Sequence, residues 1–142
     1  WFGFHNKLGY FLWTVNVHGN WYGTLESSVR KALKRYDDIS LMILVPDRVK
    51  NILDYAREQG LEESVISFYI LSPPLEILRK RLQSRGDSEF EIIKRIKDCE
   101  KWDAEASISD LPYIFVRNDD RVENAVEDIV DIITSGMKDQ LF

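Results

Sequence analysis

Between Arg79 and Lys97 the chain carries a run of cations that includes Arg81, Arg85 and Arg95. Guanidinium forks match phosphate oxygens, so these three side chains could hold an anionic group. Cation runs on helices are also commonly solvated, and Arg79, Lys80, Lys94 and Lys97 lie close by. Both readings stand at this point. Tyr22 and Thr24 offer hydroxyls two residues apart, and Asn118 offers an amide ahead of the last apolar segment. Tyr22 reads equally as a packed aromatic at a strand end. His5 and His18 are not spaced as a metal pair, and His18 reads as a turn residue. Cys99 is the single cysteine, so no intrachain disulfide and no thiolate metal site is expected. It reads as a half-buried helix residue flanked by Asp98 and Glu100.

These residues need a scaffold, and the pattern supplies one. Hydrophobic residues make up 44% and charged residues 30% of 142 positions, which suits one globular domain with a core. The net charge of -5 argues against a general nucleic-acid binder, which needs clustered cations on one face. No apolar run approaches the roughly 18 residues that span a bilayer, so no membrane insertion is expected. A cytoplasmic location is the expectation. The chain begins at Trp1 rather than Met, and we expect further sequence upstream.

Residues 10–17 and the segment after Gly19-Asn20 predict small antiparallel strands. Thr24 is positioned to cap a helix carrying Leu25, Val29, Ala32, Leu33 and Tyr36, which Asp37-Asp38 ends. Ile39 to Val45 is a continuous apolar run, and predicts a strand buried on both faces of a parallel sheet. Pro46 starts a helix that Gly60 stops. Val65–Leu71 and Tyr113–Val116 predict two more buried strands. Between them lie a helix to about Ser84, with Leu75, Leu78 and Leu82 on one face, and a helix starting at Asp87 or Ser88. Phe90, Ile93, Ile96 and Trp102 define the apolar side of the latter. Asp119-Asp120 precede a final helix whose core stripe is Val122, Ala125, Val126, Ile129, Val130 and Ile133. Strands alternating with helices mean α/β.

Three segments in register resemble the guanylate kinase family. The first is Gly9-Tyr10-Phe11-Leu12-Trp13-Thr14 with Val17-His18-Gly19-Asn20-Trp21-Tyr22-Gly23-Thr24. The second is Ile70-Leu71-Ser72-Pro73-Pro74, then Arg81-Leu82, Arg85-Gly86 and Lys94-Arg95. The third is Val116-Arg117-Asn118-Asp119-Asp120. The resemblance covers nearly the whole chain and corresponds to the C-terminal two-thirds of such a kinase. It implies a parallel sheet with flanking helices like that of nucleoside-monophosphate kinases, a small antiparallel nucleotide-binding region and a helical lid. As one domain over 1–142, it places the nucleotide-binding subregion at 1–36 and the core and lid at 37–142.

The resemblance also assigns roles. It implies that Tyr22 binds the phosphate of GMP and that Thr24 contacts the guanine. Arg81, Arg85 and Arg95 become the lid arginines of phosphoryl transfer, where positioning and cations supply most of the catalysis. Asn118 lies beside the adenine of ATP.

The chain departs from the family where chemistry is concentrated. It contains no Gly-x-x-x-x-Gly-Lys-[Ser/Thr], the loop that cradles phosphates and helps hold magnesium. The guanine-reading glutamate falls on Trp13, and an indole accepts no hydrogen bond. That indole either blocks the base site or stacks on a base. Two aspartates of the family fall on Ile43 and Val45. Trp21 replaces a tyrosine. One of those aspartates serves the magnesium region and the other the guanine; a buried donor left without its acceptor costs about 1–3 kcal/mol, so losing the glutamate and the guanine-side aspartate would lower guanine affinity by several orders of magnitude.

The expectation is therefore a degenerate guanylate-kinase-like domain that binds without catalysing, with no metal and no cofactor in these 142 residues. Its ligand would be a protein partner or larger assembly, or GMP or another anion. The alternative is an active GMP-type kinase that uses ATP and magnesium through a phosphate loop outside this sequence.

Overall fold

A computed structural model describes residues 3, 8–17, 19–35, 38–119 and 121–139, with side chains to residue 135. The chain divides into two units, residues 1–66 and 67–142.

In the first unit, β1 (Phe11–Val17) pairs antiparallel with β2 (Asn20–Leu25). The reversal is short because Gly19 takes φ 88°, a left-handed conformation that glycine enters without steric cost. Its N–H donates to Asn16 Oδ1 at 3.1 Å. The register slips between Phe11 and Trp13, so Leu12 is the extra residue of a bulge. Helix α1 (Glu26–Leu33) follows with no break. Thr24 does not cap it, contrary to the sequence reading. Thr24 stays in β2 opposite Trp13, Leu25 occupies the cap position, and the Glu26 N–H donates to Tyr10 O at 3.0 Å. A backbone carbonyl thus satisfies a helix-start donor that a side chain would otherwise take.

Helix α2 (Pro46–Glu58) begins and ends as its Pro and Gly dictate. Gly60 has φ 68°, and the Leu61 N–H reaches back to Ala56 O at 2.8 Å. The core of this unit is Trp13, Val29 and Tyr55, with Leu12, Leu33, Leu44 and Ile52 packed against it.

The run Ile39–Val45 corrects the sequence reading. It forms no strand, and Ile39, Leu41, Met42 and Ile43 are exposed. An apolar run becomes a buried strand only where a neighbour completes its ladder, and no strand among the described residues pairs with it. Leu44 alone reaches the core described above.

In the second unit, β3 (Ser67–Ile70) and β4 (Tyr113–Val116) pair in parallel, Ser67 opposite Tyr113 through Ile70 opposite Val116. The parallel pairing agrees with the sequence reading. The burial on both faces does not, since Ile70 and Phe115 are exposed. Between the strands run α3 (Leu75–Ser84) and α4 (Glu89–Ser107). Leu82 is buried on α3, while Leu75 is exposed.

The apolar side of α4 is also rephased. Ile92 and Ala106 are buried with Ile96 and Cys99 half-buried between them, while Phe90 and Ile93 face solvent. The buried set recurs every three or four residues, the period of one helix face. The last helix, α5 (Val122–Asp139), buries Ala125 and half-buries Ile129 and Ile133, but leaves Val122, Val126 and Val130 exposed. Asp120, Tyr36, Asp37, His5 and His18, named in the sequence reading, lie outside the described residues. Among the described residues, no helix is long and apolar enough to cross a membrane.

Candidate functional site

In the second unit, the turn between α3 and α4 is built by two motifs back to back. Gly86, at φ 84°, ends α3: its N–H donates to Gln83 O at 2.9 Å, and the Asp87 N–H to Leu82 O at 3.2 Å. That double return satisfies two helix-end carbonyls and needs a left-handed residue at Gly86. Ser88 then opens α4 with a capping box, its hydroxyl accepting from the Glu91 N–H and its own N–H donating to Glu91 Oε2 at 2.9 Å. The Ser88 hydroxyl and N–H both hold the Glu91 carboxylate below the usual range. Asp87 is fixed between the two motifs.

These elements set out the candidate arginines. Arg81 leaves the last turn of α3, half-buried, and its Nη1 donates to Asn118 O at 2.8 Å. It thereby ties α3 to the loop after β4. Asn118 Oδ1 is buried and accepts no hydrogen bond among the described residues. Arg85 is the C-terminal cap of α3 and is exposed. Arg95 sits two turns into α4, its Nε 3.1 Å from Asp87 Oδ2. That oxygen forms no well-aligned hydrogen bond among the described residues, so the contact is an ion pair of imperfect geometry. Arg79 pairs with Glu89 at 2.6 Å across the same turn.

Asp103 was not foreseen from the sequence. Its Oδ1 accepts from the Tyr69 hydroxyl at 2.8 Å and its Oδ2 from the Ser72 N–H at 3.2 Å. One carboxylate from α4 therefore holds both the end of β3 and the start of Ser72-Pro73-Pro74. Burial, and then the hydrogen bond to Asp103, push the Tyr69 phenol well above its ordinary value. Asp103 carries no sequence signal, and Asp87 reads only as a possible helix start, because an acid on a helix or turn most often meets only water.

In the first unit, Tyr22 and Thr24 lie two residues apart on β2 and so on one face. Tyr22 is exposed, which removes the reading of it as a packed core aromatic; Thr24 is half-buried. Trp13 is directly opposite Thr24 and shares its face. It is 7% exposed and packs into the core with Val29 and Tyr55. An indole so enclosed offers no open face for stacking on a base. Beside it, the Tyr55 hydroxyl donates to the Glu26 carboxylate, which raises the Tyr55 pKa. The structure thus brings Arg81 to Asn118 and Arg95 to Asp87 in one unit, and Tyr22 and Thr24 to Trp13 in the other.

The curated relatives that the chain matches are named guanylate kinases. The chain is 34% identical to a guanylate kinase of Fusobacterium nucleatum over 135 residues, which is 90% of this chain and 64% of the relative. It is 35% identical to one of Carboxydothermus hydrogenoformans over 126 residues, 88% of this chain and 56% of the relative. A guanylate kinase of Methylobacillus flagellatus is 32% identical over 130 residues, 89% of this chain and 58% of the relative. Along about nine tenths of its length the chain is similar to guanylate kinases. No protein-family model matches it. This guanylate-kinase-like chain spans less than two thirds of the length of these relatives. Its mixed α/β elements fit that similarity.

Proposed function

We propose that this chain is a guanylate-kinase-like domain that has kept the phosphate-facing arginines and lost guanine recognition, and that it binds a phosphorylated ligand without transferring phosphate. The observation that carries this reading is Trp13. At the position where the resemblance expects an acid for the guanine edge, the indole is part of the core. Restoring a base-reading acid there would mean dismantling that core, so the change is structural and not a simple surface substitution.

In this reading the chain has a nucleoside-monophosphate-kinase-like fold, with 1–36 as a former nucleotide-binding subregion and 37–142 as core and lid. Arg81, Arg85 and Arg95 are the lid cations, Asn118 a former adenine neighbour, and exposed Tyr22 with Thr24 a remnant of the GMP site. The ligand is GMP-like only in its phosphate, and its source is a small anion or a phosphorylated group on a protein partner. Guanidinium groups would bind either by the same charge-assisted hydrogen bonds.

A second reading is favoured by the relatives, each named a guanylate kinase. On it, the protein is an active kinase for a nucleoside monophosphate, using ATP and magnesium held by a phosphate loop outside these 142 residues. The 32–35% level of identity and the presence of Arg81, Arg85 and Arg95 are consistent with that. The two readings separate in an assay of ADP release from ATP and magnesium, with each nucleoside monophosphate offered in turn to this chain and to any longer form of the protein. Binding without transfer predicts background ADP release from folded samples of both. GMP-dependent turnover by the longer form would establish the second reading, and its preferred base would show what replaced the lost acids.

A further inference from the structure

We infer that Asp87 is an internal counter-ion for Arg95, occupying that guanidinium until an incoming phosphate displaces it. The inference rests on the anion-binding reading above and adds a regulatory contact to it.

Asp87 owes its position to the backbone, not to Arg95. The return bonds from Gly86 and Asp87 to α3 fix the residue from one side, and the Ser88–Glu91 capping box fixes it from the other. The carboxylate is therefore held in place before any ligand arrives. Its side chain is 15% exposed, against 40% for Arg95. A mostly buried acid beside a more accessible cation leaves the cation open to solvent on its other side. The contact itself runs through a single nitrogen, Nε at 3.1 Å, and Asp87 Oδ2 has no well-aligned donor. A guanidinium has five N–H donors, and a phosphate can engage two of them side by side. A single-point ion pair is thus poised to yield to a bidentate one. The neighbouring cations differ in this respect: Arg79 is matched at 2.6 Å by Glu89, and Arg81 donates to a backbone carbonyl. Neither of those contacts involves an under-bonded carboxylate oxygen.

The consequence is a built-in brake on affinity. A phosphate must displace Asp87 from Arg95 and tolerate its negative charge nearby. Removing that charge, while keeping the shape, releases the brake.

The test is titration calorimetry of inorganic tripolyphosphate at low ionic strength, on the wild type, Asp87→Asn, Arg95→Met and the double variant. A single-point ion pair with one solvent-accessible partner bounds the gain from Asp87→Asn at about two- to fivefold tighter binding. The gain is expected to vanish in the Arg95→Met background, where there is no guanidinium to release. An equal gain in both backgrounds would reduce Asp87 to a general repulsive charge and overturn the inference. So would unchanged affinity in a folded Asp87→Asn protein. As a second readout, the Arg95 Nε–H signal in NMR should shift when the wild type is saturated with tripolyphosphate, and an unmoved signal would also overturn it. If neither the wild type nor any variant binds tripolyphosphate, the anion-binding reading itself fails, and this inference with it.

Discussion

The two units of this chain differ at the positions that the resemblance singles out. In residues 1–66, two positions where the resemblance expects an acid are apolar: Trp13 is in the core, and Ile43 is exposed. In residues 67–142, the polar positions persist, and the backbone around them is tightly specified by Gly86, Ser88 and Asp103. A base site read by buried acids is lost when those acids are replaced, because each unmet donor is costly. A phosphate site built from long surface arginines is more tolerant, because each cation contributes by charge and no single one fixes the shape. The same drift can therefore erase base recognition and spare phosphate recognition.

The comparison can be broken most forcefully at Trp13. Trp13→Ala should destabilise the first unit by about 3–5 kcal/mol, the usual range for removing a buried tryptophan. Urea unfolding checks this. A loss below about 1 kcal/mol would mean that the indole is dispensable to the core and available to a ligand.

In the second unit, Gly86→Ala should cost about 1–2 kcal/mol, since alanine is strained at φ 84°. No heavy atom lies within 4 Å of a Cβ added there, so the cost is conformational and not a clash. Thermal unfolding checks it, and the loss should be accompanied by weaker tripolyphosphate binding, because Asp87 and Arg95 lose their fixed turn.

A smaller effect is expected at Tyr69. Its folded pKa is raised above the ordinary 10.0, so the protonated phenol is favoured by folding. The stabilisation is complete below pH 10 and is lost as pH rises through and beyond that value. Tyr69→Phe should cost about 1 kcal/mol at neutral pH, the worth of one hydrogen bond, and should flatten the alkaline fall in stability. An unchanged slope between pH 9 and 11 would show that Tyr69 and Asp103 do not act as a clamp.

Much of this organisation was legible from residue pattern. The Gly19-Asn20 reversal, Pro46 and Gly60 around α2, and the strand at Tyr113 follow from local chemistry that no distant contact overrides. The failures have a shared physical source. Ile39–Val45 shows that a run can form a strand, but not that a neighbour exists to pair with it. Phe90, Ile92, Ile93 and Ile96 fit two overlapping helix faces, and only tertiary packing chooses Ile92. Val122, Val126 and Val130 fall beside the true buried stripe for the same reason. At the candidate site, family resemblance pointed to Arg81, Arg85 and Arg95. The partners Asp87 and Asn118 O could not be read, since pairing depends on the turn that brings α3 and α4 together and on the loop after β4.

The central claim is that guanine recognition is gone while phosphate recognition remains, and it is tested most directly by titrating the folded chain with GMP and with AMP under identical conditions. The account predicts that GMP binds no more tightly than AMP, because no carboxylate remains at position 13, 43 or 45 to read the guanine edge. A preference for GMP of tenfold or more, equivalent to about 1.4 kcal/mol, would contradict it.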